Sequence, residues 1–175
     1  MKLSSTLLFV LALFVTILAV GGLLNKYHTQ KQEVEQRALI TLDRGISLFR
    51  EGKYAESLTE LQSIPDGVLQ DWHLPYYTAS AHVMLKDYPP AVAKLEDALT
   101  LNPQETRILF ELGVVHFKLG NLGLSKGYFA SVVEIDPTNE EAKGLMDIMA
   151  NLERQQPGAT TEDSTQENVS GEFSH

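Results

Sequence analysis

Between Ala38 and Asn139 the chain repeats itself at a 34-residue spacing with no insertion, the units starting at Ala38, Trp72 and Thr106. This register limits the fold more than any other feature, because a fixed period of this length marks a stack of small helical units. The last unit is the most regular. Leu109, Leu112, Gly113 and His116 fall at i, i+3, i+4 and i+7, one face of a helix. Gly120 then breaks the pattern where a tight turn needs a permissive residue. Leu122, Ser125, Phe129 and Val132 carry a second helical stripe, which Asp136-Pro137 ends, since proline cannot donate to the helix ladder.

The other two units agree position by position. The eighth place holds Gly45, Ala79 and Gly113, and the twentieth Ser57, Ala91 and Ser125, small wherever two helices must approach. Leu61, Leu95 and Phe129 share the twenty-fourth place, and Gly52, Lys86 and Gly120 the turn. Leu112-Gly113, Gly120, Phe129 and Pro137 stand where the tetratricopeptide repeat (TPR) pattern wants them, and the array resembles that family. The resemblance implies an all-α fold: a right-handed superhelical solenoid of three TPR hairpins (38–71, 72–105, 106–139) plus a capping helix over 140–154, together a TPR domain over 38–154. Repeat one departs most, lacking the closing proline and carrying Pro65 inside its second helix. That helix is expected to end near Ile64, with Pro65-Asp66-Gly67 as a turn. In the capping segment Leu145, Met146, Ile148, Met149 and Leu152 form the apolar stripe.

Ahead of the repeats, Leu3 to Leu24 holds no charge, and residues 6–24 are almost wholly apolar. Nineteen helical residues reach roughly 28 Å, close to the hydrocarbon core of a bilayer. Residues 1–25 are read as one transmembrane helix, a single-pass anchor. A cleaved signal peptide, with Ala19-Val20-Gly21 as its small-residue site, is the alternative; the apolar run exceeds the usual h-region of about 7–15 residues. Lys2 before a long apolar run reads as a signal anchor that exports the repeats from a bacterial inner membrane. Lys26, Lys31 and Arg37 after the span argue for the reverse, with cytoplasmic repeats. Residues 26–37 read as a helical stalk. Residues 155–175 hold Pro, Gly, Ser, Thr and acidic residues with no Lys or Arg, and read as a disordered acidic tail.

The net charge of −9 argues against a nucleic-acid partner, which needs a basic face. There is no cysteine, hence no disulfide, thiolate metal site or Cys nucleophile. His82 and His116 share the eleventh repeat place on successive first helices, at least about 8–10 Å apart, too far to share one zinc ion. Neither a phosphate-binding Gly-rich loop nor HExxH nor GxSxG occurs. No catalytic residue, metal ligand or cofactor is expected.

The candidate site is the groove. In TPR proteins the first helices line a concave surface that holds a peptide or a partner helix. By repeat place the lining here would include Leu42, Ile46, Phe49, Tyr76, Val83, Arg107, Phe110, Val114 and Phe117. TPR domains that bind the acidic C-termini of heat-shock chaperones use a clamp of Lys, Asn and Arg. The matching places here hold Leu42, Ile46, Tyr77 and Glu111, and only Arg107 suits such a clamp. An apolar helix or extended segment fits the lining better. The expected function is a non-catalytic, membrane-anchored adaptor or scaffold for protein–protein interaction, in assembly of an envelope complex. Self-association through the groove is the alternative, or a soluble exported peptide-binding protein if the signal is cleaved.

Overall fold

The computed structural model of the chain describes residues 5–155. The tail expected after Gln155 lies outside the described residues. Seven helices follow in order: α1 Ser5–Arg50, α2 Tyr54–Gln62, α3 His73–Met84, α4 Tyr88–Leu101, α5 Thr106–Lys118, α6 Leu122–Ile135 and α7 Glu140–Gln155. The described residues contain no strand. Each helix packs on the next, giving the paired-helix solenoid that the 34-residue register requires.

The hairpins close where the side chain at the eighth place is smallest. A Cβ built on Gly45 would lie 2.5 Å from Leu61 Cδ2, and one built on Gly113 would lie 2.7 Å from Phe129 Cε1. Neither distance is possible, so glycine lets α1 sit on α2 and α5 on α6. The serine at the twentieth place uses the same closeness. Ser57 Oγ donates to the Gly45 carbonyl at 2.8 Å and Ser125 Oγ to the Gly113 carbonyl at 2.7 Å, both bonds buried. Repeat two makes the contact with Ala79 and Ala91, fully buried beside Leu95.

The turns within hairpins share one geometry. Gly52 and Gly120 have φ +79° and Lys86 has φ +61°, all left-handed. In the last repeat the Gly120 N–H donates to Phe117 and the Asn121 N–H to His116; Lys86 and Asp87 repeat this with Val83 and His82. That crossed pair satisfies carbonyls left free at a helix end. Lysine adopts the left-handed conformation at a cost that glycine lacks.

Layering follows from the contacts. The first helices touch one another, α3 meeting both α1 and α5, whereas the second helices α2, α4 and α6 make no comparable contact among themselves. The layer whose members lie closer is the inside of the curve, so α1, α3 and α5 form the concave face.

Repeat one is the least regular. Its second helix spans 9 residues against 14 in α4 and in α6. It ends at Gln62, and Val68 N–H bonds back to the Pro65 carbonyl with Gly67 at φ +77°. At the other end, α7 covers the last hairpin through Ala142, Met149, Leu145 and Met146, packed with Phe129 and Val132. Asn139 caps this helix, its Oδ1 accepting from the Ala142 N–H at 2.9 Å. Ile148 and Leu152 depart from the expected stripe, 50% and 37% exposed, since the buried face follows 142, 145, 146 and 149.

The 46 residues of α1 run unbroken from the apolar segment into the first hairpin, roughly 70 Å at 1.5 Å per residue. Residues 9–37 are exposed throughout, and burial begins at Ala38. The apolar stretch is long enough to cross a membrane by length and composition, and none of it is buried against the rest of the chain.

Two substitutions test these contacts. Gly113→Ala should destabilise the fold by about 1–3 kcal/mol through overpacking against buried Phe129, while Gly127→Ala, with nothing within 4 Å of the added methyl, should stabilise it by about 0.5–1 kcal/mol. Lys86→Gly should stabilise by up to about 1 kcal/mol, because relief of left-handed strain of roughly 1–2 kcal/mol is partly offset by the looser unfolded chain. Chemical denaturation of the three variants beside the parent chain measures all of this.

Candidate functional site

The concave face is built from one side of α1, α3 and α5. Ile46, Phe49, Tyr76, Val83, Phe110, Val114 and Phe117 are all half-buried there, packed from below by the core and open above. Tyr76 and Val83 rest on the central core cluster, and Phe110, Val114 and Phe117 on the one beneath α7. Leu42 behaves differently from the groove lining it was expected to join. It is 5% exposed and belongs to the core with Ala38, Leu61, Ile64 and Leu69, because α2 and the Pro65–Leu69 turn close over it.

An aromatic column crosses this face. Trp72 stacks on His73 with ring centroids 3.9 Å apart, His73 faces Tyr77 at 6.4 Å, and Tyr77 meets Phe49 edge-on at 5.5 Å. Phe49 then meets Tyr54 at 5.3 Å. Each well-placed aromatic pair contributes about 0.5–1.5 kcal/mol beyond its buried area. Trp72 and Tyr54 were absent from the expected lining. The signal was present in that Trp72, the chain's single tryptophan, opens repeat two.

Arg107, the one residue suited to a carboxylate clamp, is engaged within the chain. Its guanidinium carbon lies 4.8 Å from the Trp72 ring centroid, a cation–π contact. Its Nε donates to Glu105 Oε1 at 2.9 Å, and this bond holds the Glu105 carboxyl below the usual carboxylate range. His73 Nδ1 is bound to Asp71 Oδ1 at 2.6 Å. His82 and His116 serve their own turns: His82 Nδ1 meets Asp87 Oδ2 at 3.1 Å, and Asn121 Nδ2 meets His116 Nδ1 at 3.2 Å.

Polar groups without partners gather where α3 faces α5. Glu111 is partly buried and forms no hydrogen bond or ion pair among the described residues; burial pushes its carboxyl up from the ordinary 4.5. Ser80 is 5% exposed, and its Oγ has no hydrogen-bond partner. Between them stands Tyr76, whose phenol is pushed up first by burial and then by the Glu111 charge, and eased by Ser80. The Tyr76 and Ser80 hydroxyls therefore sense each other but do not meet the geometry of a hydrogen bond.

No family model matches the sequence. Human RNA polymerase II-associated protein 3 is 31% identical over 107 residues, 61% of this chain and 16% of that protein. Mouse peptidyl-prolyl cis-trans isomerase FKBP4 is 24% identical over 140 residues, 71% of this chain and 30% of that protein. The chain thus spans less than a third of the length of these two curated relatives. Among solved structures, the first TPR of Spaghetti (RPAP3), bound to the HSP90 peptide SRMEEVD, superposes with a TM-score of 0.63 at 28% identity, covering 67% of this chain and 94% of that one. The likeness establishes the TPR solenoid fold.

Because the Glu111 carboxyl is raised in the folded chain, it adds stability while protonated and takes it away as pH rises through 4.5 towards the folded value. Glu111→Gln should therefore melt above the parent chain at neutral pH, with the gap closing as pH falls below 4.5. Thermal scans across pH in a detergent of constant composition measure the gap. An equal Tm at neutral pH would show that the carboxylate is well solvated.

Proposed function

We propose that this TPR chain is a membrane-anchored, non-catalytic adaptor that holds a segment of a partner protein in the groove formed by α1, α3 and α5. The observation that carries this reading is the row of half-buried apolar and aromatic side chains that the array leaves uncovered there: Ile46, Phe49, Val83, Phe110, Val114 and Phe117. A monomer gains nothing in solubility from such a surface, and a rimmed apolar groove is the usual seat of an amphipathic helix or an extended segment.

Residues 6–24 are the anchor in this proposal. Phe9, Phe14, Ile17, Leu18 and Leu23 are each more than half exposed, and none of the other described residues covers them. A bilayer would bury this surface on all sides, as the absence of a polar face requires. Tethering confines a partner in the same membrane to a thin layer and raises its effective concentration, so even weak groove contacts suffice. Export of the repeats, and assembly of an envelope complex, is the arrangement we propose.

The similar TPR of Spaghetti is bound to SRMEEVD, a peptide with three acidic side chains. The places where such a clamp needs Lys, Asn and Arg hold Leu42, which is buried in the core, with Ile46, Tyr77 and Glu111, and Arg107 is already paired. A partner of different chemistry follows.

In the native cells the full chain should stay in the membrane pellet after carbonate extraction, with Met1 or Lys2 retained at its N-terminus, and the repeats should be cut by protease added to spheroplasts. A double variant, Val114→Glu with Phe117→Ala, should remain helical by circular dichroism yet lose its co-purifying partner. An N-terminus near Gly22 would overturn the anchor, protection until lysis would reverse the topology, and undiminished co-purification by the folded variant would overturn the groove.

A further inference from the structure

Resting on the groove reading above, we infer that the partner segment carries a basic side chain, arginine above all, which enters the groove beside Tyr76 and is received by the Glu111 carboxylate and the unpartnered Ser80 hydroxyl. Three observations converge on this. Glu111 is a carboxylate on the floor of an otherwise apolar face, with no cation paired to it among the described residues. Ser80 Oγ is buried without a hydrogen-bond partner, at the repeat place where the other two units put Ile46 and Val114. A buried hydroxyl in that state costs free energy unless something in the functional complex supplies the missing bond. Tyr76 and Tyr77, edge to face with ring centroids 5.3 Å apart, line the approach, and aromatic faces attract a cation.

Arginine fits this group best. Its planar guanidinium has five donors, enough for both carboxylate oxygens of Glu111 and for Ser80 Oγ. An ammonium offers fewer directed bonds and is more strongly hydrated. Arg107, four residues before Glu111 on α5, is held by Glu105 and Trp72 and leaves Glu111 uncompensated. Charge also decides against the chain's own C-terminus as occupant: residues 156–175 contain acidic residues and no Lys or Arg. Acidic peptides such as SRMEEVD would set further carboxylates against Glu111.

The test uses the full chain in phosphatidylcholine nanodiscs, which do not attract cationic peptides. Three short Leu- and Ala-rich peptides, blocked at both ends, differ only in a central Arg, norleucine or Glu. Titration calorimetry should find the Arg peptide at least about tenfold tighter than the norleucine one, as a charge-assisted hydrogen bond requires, with the Glu peptide weakest. In Glu111→Gln the Arg advantage should vanish while norleucine binding stays unchanged. Equal binding of Arg and norleucine peptides to the parent chain would overturn the basic-residue assignment and leave the apolar groove standing. An Arg advantage that survives Glu111→Gln would overturn it too, by placing the cation elsewhere. If none of the three binds, for instance because a second copy fills the groove, the groove reading falls and this inference with it.

Discussion

Everything in this array depends on how closely the two helices of a hairpin can approach at the eighth place. Gly45 and Gly113 leave no room for a methyl beneath Leu61 and Phe129, and the serine one turn into the second helix reaches the glycine carbonyl across the same gap. That bond is possible only at short range, so it is both a consequence of the missing side chain and a lock upon it. Once the hairpins are this tight, their outer faces are flat enough for α3 to lie against α1 and α5 in turn. The contact among first helices draws that layer inward, and the concave face exists because of it. A bulkier eighth residue would push the helices of each pair apart and flatten the curve on which any groove depends.

Much of this was legible in the residues because the fold is periodic. A position repeated three times states its own constraint: Gly, Ala, Gly beside Leu, Leu, Phe can only be a close contact. Lys86 at a turn shared with two glycines was legible as a place, and the left-handed conformation follows from the shared crossed hydrogen bonds rather than from the residue. Single-copy features were harder to read. Leu42 belongs to the core because the short α2 and the Pro65–Leu69 turn cover it, and no repeat place encodes that irregularity. Ile148 keeps helical spacing with Leu145 and Leu152, yet the phase of α7 on the last hairpin is set by Ala142, a residue too small to stand out in an apolar stripe. Histidines at the eleventh repeat place were legible as too far apart to share one zinc ion, but the residues alone did not say what they bond instead. Their bonds to Asp87 and Asn121 show them bracing turns.

A basic partner segment, as proposed, would mean that one scaffold serves partners of opposite charge. The solenoid shares its backbone with a TPR domain that holds SRMEEVD, at 28% identity, and fold likeness alone would transfer that ligand. The side chains argue against the transfer. A clamp for carboxylates needs cations that are free, and the only one at a suitable place is folded onto Trp72 and Glu105. The reverse arrangement, an anion without its cation, is what α5 presents at Glu111. Specificity here would come as much from repelling acidic segments as from attracting basic ones, since an unpaired carboxylate in a partly desolvated groove penalises every wrong charge.

The continuity of α1 would give the proposed selectivity a place to act. From Leu23 to Arg44 the helix contains neither glycine nor proline, so no residue in that stretch offers a hinge. With residues 6–24 in the bilayer as proposed, residues 25–37 lift the first buried position, Ala38, by roughly 20 Å at 1.5 Å per residue. A flexible tether would let the groove sample every height above the lipid. A helical one restricts it to a narrow shell, which favours partners whose binding segment lies at that distance from the same membrane and disfavours those free in solution. On this proposal the repeats contribute charge selectivity and the stalk contributes position, and the second costs no extra contact, because α1 must in any case reach α2 to close the first hairpin.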